Sequence, residues 1–199
     1  MSKISRILML LAALSLSLLF FFPMWKIYLS APQYPEGLEM HIWINKITGN
    51  TEFALQNFNI LNHYIGMEKI EPDSFKELQY MPYVVYFLMA TGVLAAIFNN
   101  RYFTAGWFVF LLVCGAAGLL DFYFWLERFG TNLSSDAPIK VPGMTYVPPF
   151  LGTKQLLNFE ALSLPATGAI GVGLAMLFAA IASYILLFKH APKRILTHA

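Results

Sequence analysis

APQYPEGLEMHIWINKITGNTEFALQNFNILNHYIGMEKIEPDSFKELQYM, residues 31–81, is the longest hydrophilic stretch in a chain that is otherwise mostly apolar. It hangs between the first two of four apolar runs and carries most of the acidic residues, together with His41 and His63. Within it Leu38, Met40, Ile42 and Ile44 alternate with Glu39, His41, Trp43 and Asn45, a period of two that predicts a strand with one apolar face. Thr48, Gly49 and Asn50 supply a turn, and Phe53 to Leu61 returns as a second strand or a short helix. Ser74-Phe75-Lys76-Glu77 has capping-box spacing and leads through a short helix into the next apolar run.

The surrounding composition says what holds this stretch. Of 199 residues 58% are hydrophobic and only 12% charged. Soluble domains carry about 25% charged residues, so the apolar excess predicts a membrane protein and makes the lipid bilayer its first partner. A net charge of +2, dispersed and without a basic stripe or Gly-rich phosphate loop, excludes nucleic acid as a partner. The single cysteine, Cys114, excludes an intramolecular disulfide and a Cys-based zinc site.

Four spans are expected, over about residues 4–28, 82–98, 102–126 and 166–188. The first follows Lys3 and Arg6. It is long for a signal-peptide core and lacks a small-x-small cleavage site, which predicts an uncleaved anchor. Pro23, Trp25, Lys26 and Tyr28 read as its interfacial end. Pro82 suits the first turn of the second span, where its missing N–H costs nothing. Asn99-Asn100-Arg101 is a tight turn into the third. In the fourth, Gly168 and Gly171, or Ala169 and Gly173, put small side chains on one face for close helix approach.

Lys3, Arg6, Arg101, Lys189, Lys193 and Arg194 fall on one side, which by the positive-inside rule is the cytoplasm. The expected product is an all-α membrane protein, one domain over residues 1–199, with both termini cytoplasmic in a bacterial inner membrane. Segments 31–81 and 127–165 are then extracytoplasmic, the first containing a small β-hairpin or strand element. The second segment is rich in proline (Pro138, Pro142, Pro148, Pro149, Pro165). Lys140 to Pro149 reads as extended, and Lys154 to Leu162 as a short helix or strand. Neither segment is large enough for a core of its own, so each packs on the other or on a partner.

Candidate chemistry concentrates in these two segments. His63 and Met67, four apart, share a face if that stretch is helical. With Met40, His41 and Met144 they form an imidazole and thioether set suited to copper. The plainer reading makes the methionines core side chains and leaves the histidines to backbone hydrogen bonds. Asp121 is an ionisable residue within the third span, and therefore a candidate functional group. It either handles protons or pairs with Arg128 or Lys26. No span contains a histidine to hold a haem, and no nucleophile motif is present.

Four stretches read together: FPMWKIYLSAPQYPEGLEMHIWINKITG (22–49), LNHYIGMEKI (61–70), YVPPFLGTKQLLNF (146–159) and SLPATG (163–168). In them the chain resembles the NosB-like four-span membrane proteins encoded with clade II nitrous oxide reductase systems. The resemblance implies a setting: a periplasmic copper enzyme and the accessory factors that deliver copper, electrons or an export function. Pro32, Pro35 and Gly37 shape a turn that projects Gln33, Tyr34 and Glu36, and Lys154, Gln155 and Asn158 supply donors from the other segment. That polar set is either a structural clasp or a partner-docking surface. The leading expectation is a non-enzymatic accessory membrane protein whose outer face engages a partner in maturation of, or electron supply to, a copper enzyme. The alternatives are a copper-binding or copper-passing protein and a quinol-interacting redox subunit.

Overall fold

The computed structural model describes residues 3–189, so His190, Lys193, Arg194 and His198 lie outside the described residues. Its elements are α1 (Lys3–Ser15), α2 (Leu18–Phe21), β1 (Trp25–Ala31), β2 (Tyr34–Ile42), β3 (Ile47–Gly49), α3 (Ala54–Ile65), α4 (Lys76–Phe98), α5 (Arg101–Thr131), β4 (Gly152–Leu156), β5 (Phe159–Pro165) and α6 (Thr167–Tyr184). A 3₁₀ turn precedes α4, and a π turn (Ile185–Lys189) follows α6. Four helical segments are long and apolar enough to cross a membrane: Lys3–Phe21, Lys76–Phe98, Arg101–Thr131 and Thr167–Phe188. This is the pattern of a multi-pass membrane protein. The expectation of an all-α fold was too narrow, because the hydrophilic segments build a five-stranded antiparallel sheet in the order β3-β2-β1-β5-β4.

The first span stops at Phe21, not at residue 28. Pro23 disfavours helical backbone at Phe22, and the alternating residues that follow extend into β1. Between α1 and α2 the Ser15 and Ser17 hydroxyls donate to the carbonyls of Ala12 (2.9 Å) and Leu14 (2.6 Å), competing with the helical ladder. The second span begins at Lys76, which puts Pro82 inside α4 rather than in its first turn. The Ser74 hydroxyl caps nothing in α4; it donates to the Glu71 carbonyl at 2.8 Å. Asn99 takes a positive φ of 49°, and the Asn100 side chain accepts from the amides of Tyr102 (2.9 Å) and Phe103 (3.1 Å), capping α5.

The chain divides into two compact units. One comprises residues 1–17, 83–115 and 171–199 and is helical wherever it is described, apart from the Leu16–Ser17 and Asn99–Asn100 turns and the closing π turn. Its buried positions are mostly small: Ala12, Ala13, Ala95, Ala96, Ala175, Ala179 and Ala182. Small residues let helix backbones approach where lipid gives no hydrophobic incentive to associate. In α6 Gly168 and Gly171 are buried in line with Ala175, Ala179 and Ala182, and a Cβ at Gly168 would meet the Phe22 and Pro23 carbonyls, whereas Gly173 has open space around it. Ser5 donates to Asn99 Oδ1 at 2.7 Å, and Trp107 Nε1 reaches Leu88 O and Thr91 Oγ1, both at 3.1 Å.

The other unit, residues 18–82 and 116–170, holds the sheet. β1 is its third strand, pairing with β2 from Trp25↔Ile42 to Ala31↔Tyr34 and with β5 from Trp25↔Pro165 to Ser30↔Glu160. The two hydrophilic segments are therefore joined by a backbone ladder. Ile27, Leu29, Leu38, Met40, Leu156, Phe159 and Ala161 line the core face, covered by Phe58 and Ile65 of α3, Leu126 and Phe129 of α5, and Tyr146. Thr48 and Gly49 belong to β3 rather than to a turn; the turn runs Trp43 to Lys46, closed by Trp43 N donating to Lys46 O at 2.9 Å.

Candidate functional site

Helix α3 decides where the sequence-predicted copper donors go. It ends at Ile65 because Gly66 takes φ 81°, with the amides of Gly66 and Met67 donating back to His63 and Asn62. Met67 thus leaves the helix, and it does not share a face with His63. Met67 turns inward and lines a core cavity of about 50 Å³ with Met40. His63 stays exposed on the outer face of α3. His41, next to Met40 on β2, points to the opposite side of the sheet, as strand alternation requires. Met144 packs against the edge of the core, away from the cavity lining. The five donors do not occupy one location. Among the described residues no three His, Cys, Asp or Glu side chains gather as a metal group.

The cavity is apolar apart from a few polar atoms. Tyr146 is 1% exposed. Its hydroxyl and the indole N–H of Trp125, which also lines the cavity, have no hydrogen-bond partner among the described residues. Burying an unpaired hydroxyl costs stability. Tyr146→Phe is therefore expected to raise the unfolding free energy by about 1 kcal/mol. A thermal melt in detergent checks this; a loss of stability instead would show the hydroxyl holding a bound partner.

Of the polar set read as a clasp or a docking surface, no member joins the two segments through a side-chain hydrogen bond among the described residues. Lys154 Nζ donates to Val147 O at 2.8 Å and Gln155 Nε2 to Leu157 O at 3.2 Å, both within their own segment. Gln33 and Asn158 occupy the β1–β2 and β4–β5 turns, Tyr34 packs against the core, and Glu36 is exposed on β2. The clasp is the β1–β5 ladder, reinforced by Trp25 Nε1 donating to Ser163 Oγ (2.8 Å), which donates on to Phe150 O (3.1 Å). Asp121 forms no ion pair among the described residues, since Arg128 pairs with Glu68 at 3.2 Å. Counted from Arg101, about 20 residues cross a bilayer core, which puts Asp121 at the far boundary of the span.

Two surfaces escaped the sequence reading. Behind the sheet, Lys26, Glu39 and His41 share a groove of about 630 Å³ with Pro23, Pro165 and the first turn of α6. His41 Nε2 and Glu39 Oε2 are 2.8 Å apart. On the other side of the unit, Ile60 (41% exposed) and Tyr64 (49%) flank His63 on α3, and Ile139 (46%) is held beside them by its amide donating to Tyr64 O at 2.9 Å. A polar rim follows, in which Glu68 accepts from Arg128 and Asn132. The signal for this patch was available: Ile60 and Tyr64 are spaced i, i+4.

The fold and these surfaces define a class, a multi-pass membrane protein carrying a sheet unit. Comparison with protein-family models, curated proteins and solved structures finds no match that narrows it.

Proposed function

We propose that the chain is a non-enzymatic accessory protein of a bacterial inner membrane whose sheet unit docks a partner protein on the outer side. Lys3 and Arg6 open α1, and Arg101 opens α5 directly after α4, at helix ends that the chain does not join to a strand, which supports a cytoplasmic position for those ends. The carrying observation is the Ile60–Tyr64–Ile139 patch around His63. These apolar side chains are exposed outside the candidate spans, where lipid does not explain them. An aromatic and aliphatic centre with a polar rim is the usual anatomy of a protein interface. The resemblance to NosB-like proteins suggests the partner's setting, a periplasmic copper enzyme or its assembly factors.

A photocrosslinker at residue 63 in native membranes is expected to yield a discrete protein adduct. Tyr64→Asp combined with Ile139→Asp should reduce its yield about tenfold or more, while the protein stays folded. Adducts that are absent, or indifferent to the double substitution, would remove the docking reading.

Copper handling is a second reading, drawing on Met40 and Met67 in one cavity. Two thioethers suit Cu(I). Purified protein carrying no copper above background, unchanged by Met67→Leu, would dismiss it.

A further inference from the structure

We propose that the groove behind the sheet binds one phospholipid with a zwitterionic headgroup, a phosphate at Lys26 and a primary ammonium at Glu39. The proposal does not depend on the docking surface of α3, which is built from different residues.

The groove is amphipathic, and its two halves are placed where a lipid needs them. Its polar half comes from the outer face of the sheet. Lys26 and His41 are cross-strand partners in register, and Glu39 lies two residues along the same strand. Its apolar half is Ala166, Ala169 and Ile170, where α6 begins the fourth candidate span, with Pro23 just beyond the end of the first. Charged side chains thus meet apolar helix surface at a span end, the level of the headgroups and upper acyl chains.

Charge decides the headgroup. Lys26 is half-buried and makes no ion pair among the described residues, although Glu39 lines the same groove. Its ammonium is available to a phosphate, with the Thr167 hydroxyl lining the groove nearby. The amides of Ala166 and Gly168 are not available, because they donate to Met24 O (2.9 Å) and Pro23 O (2.8 Å). Glu39 gives one carboxylate oxygen to His41 and keeps the other for a donor. A positive and a negative group along one groove match a headgroup carrying phosphate and ammonium. A purely anionic headgroup would set a negative charge against Glu39. The Ile170 side chain is 59% exposed, so an acyl chain leaving the groove runs along α6.

The test uses full-length protein in nanodiscs containing phosphatidylethanolamine, phosphatidylglycerol and phosphatidylcholine, followed by delipidation and native mass spectrometry. One phosphatidylethanolamine should be retained per chain, favoured about tenfold over phosphatidylglycerol. Phosphatidylcholine, which cannot donate a hydrogen bond to Glu39, should fall between them. Lys26→Gln should lower retention of all three about tenfold, and Lys26→Arg should restore it. Glu39→Gln should level the ethanolamine preference while leaving phospholipid bound. Soluble glycerophosphoethanolamine should fail to displace the lipid, separating a lipid site from one for a free phosphate compound. Should Lys26→Gln fail to fold, the Glu39→Gln comparison alone decides. Retention without headgroup preference, retention indifferent to these substitutions, or a quinone recovered in place of phospholipid overturns the proposal.

Discussion

Gly130→Ala is expected to detach the second hydrophilic segment from α5, at a cost of roughly 3 kcal/mol, the upper end for inserting a methyl into packed surroundings. Gly130 is buried in the last turn of α5, and a Cβ there would overlap the backbone of Val147. The adjacent residue is tied in as well, since Tyr146 N donates to Gly130 O at 2.8 Å. Backbone on both sides leaves no flexible side chain to move aside. The segment would have to lift, taking Tyr146 out of the core of the sheet unit. Gly106→Ala on the same helix is the control, because nothing lies within 4 Å of its Cβ position. That change should be neutral or mildly stabilising, by up to about 1 kcal/mol of helix propensity. Hydrogen exchange of the β1 and β5 amides, with limited proteolysis across residues 139–150, reads the difference. Equal protection in the two variants would show that the close approach at Gly130 does not hold the segment.

Ser163→Val should cost about as much by a different route. Ser163 is fully buried on β5 and relays a hydrogen bond from the Trp25 indole to the Phe150 carbonyl. Valine removes the hydroxyl and strands both groups, and threonine, which matches valine in size, is the control. Each buried orphan costs about 1–3 kcal/mol, so a loss of roughly 3 kcal/mol is expected for the pair. Ser163→Thr keeps the hydroxyl and should recover most of it. Thermal unfolding followed through tryptophan fluorescence is the measurement. A Val variant as stable as the parent would mean that the β1–β5 ladder holds the segments without this relay.

Both predictions concern contacts that primary structure hides. The spans were legible because about 20 consecutive apolar residues leave few soluble alternatives. Strand β2 was legible from its alternation. β1 was not, although Trp25, Ile27, Leu29 and Ala31 also alternate. Aromatic and lysine residues just after an apolar run fit an interfacial belt equally well, and only pairing on both sides separates the readings. Helix α3 remained open between helix and strand until its packing on the sheet was seen. The candidate site was less legible still. His63 and Met67 have helical spacing, but one positive φ at Gly66 parts them. Gly66 stood in that stretch as a warning, since glycine just past a helical run commonly ends it.

Residue order by itself determined the four membrane-length helices and the Asn99–Asn100 break between the second and third, but not where the first ends or the second begins. Hydropathy, proline and asparagine act locally, through solvent and backbone sterics, and need no distant partner. Tertiary structure alone decided that the two hydrophilic segments share one sheet. The ladder from Trp25 to Pro165 joins residues 140 positions apart, and neither local propensity nor periodicity encodes which edges meet. The same pairing sends Met40 into the core and His41 to the groove, because register fixes which face of a strand is buried.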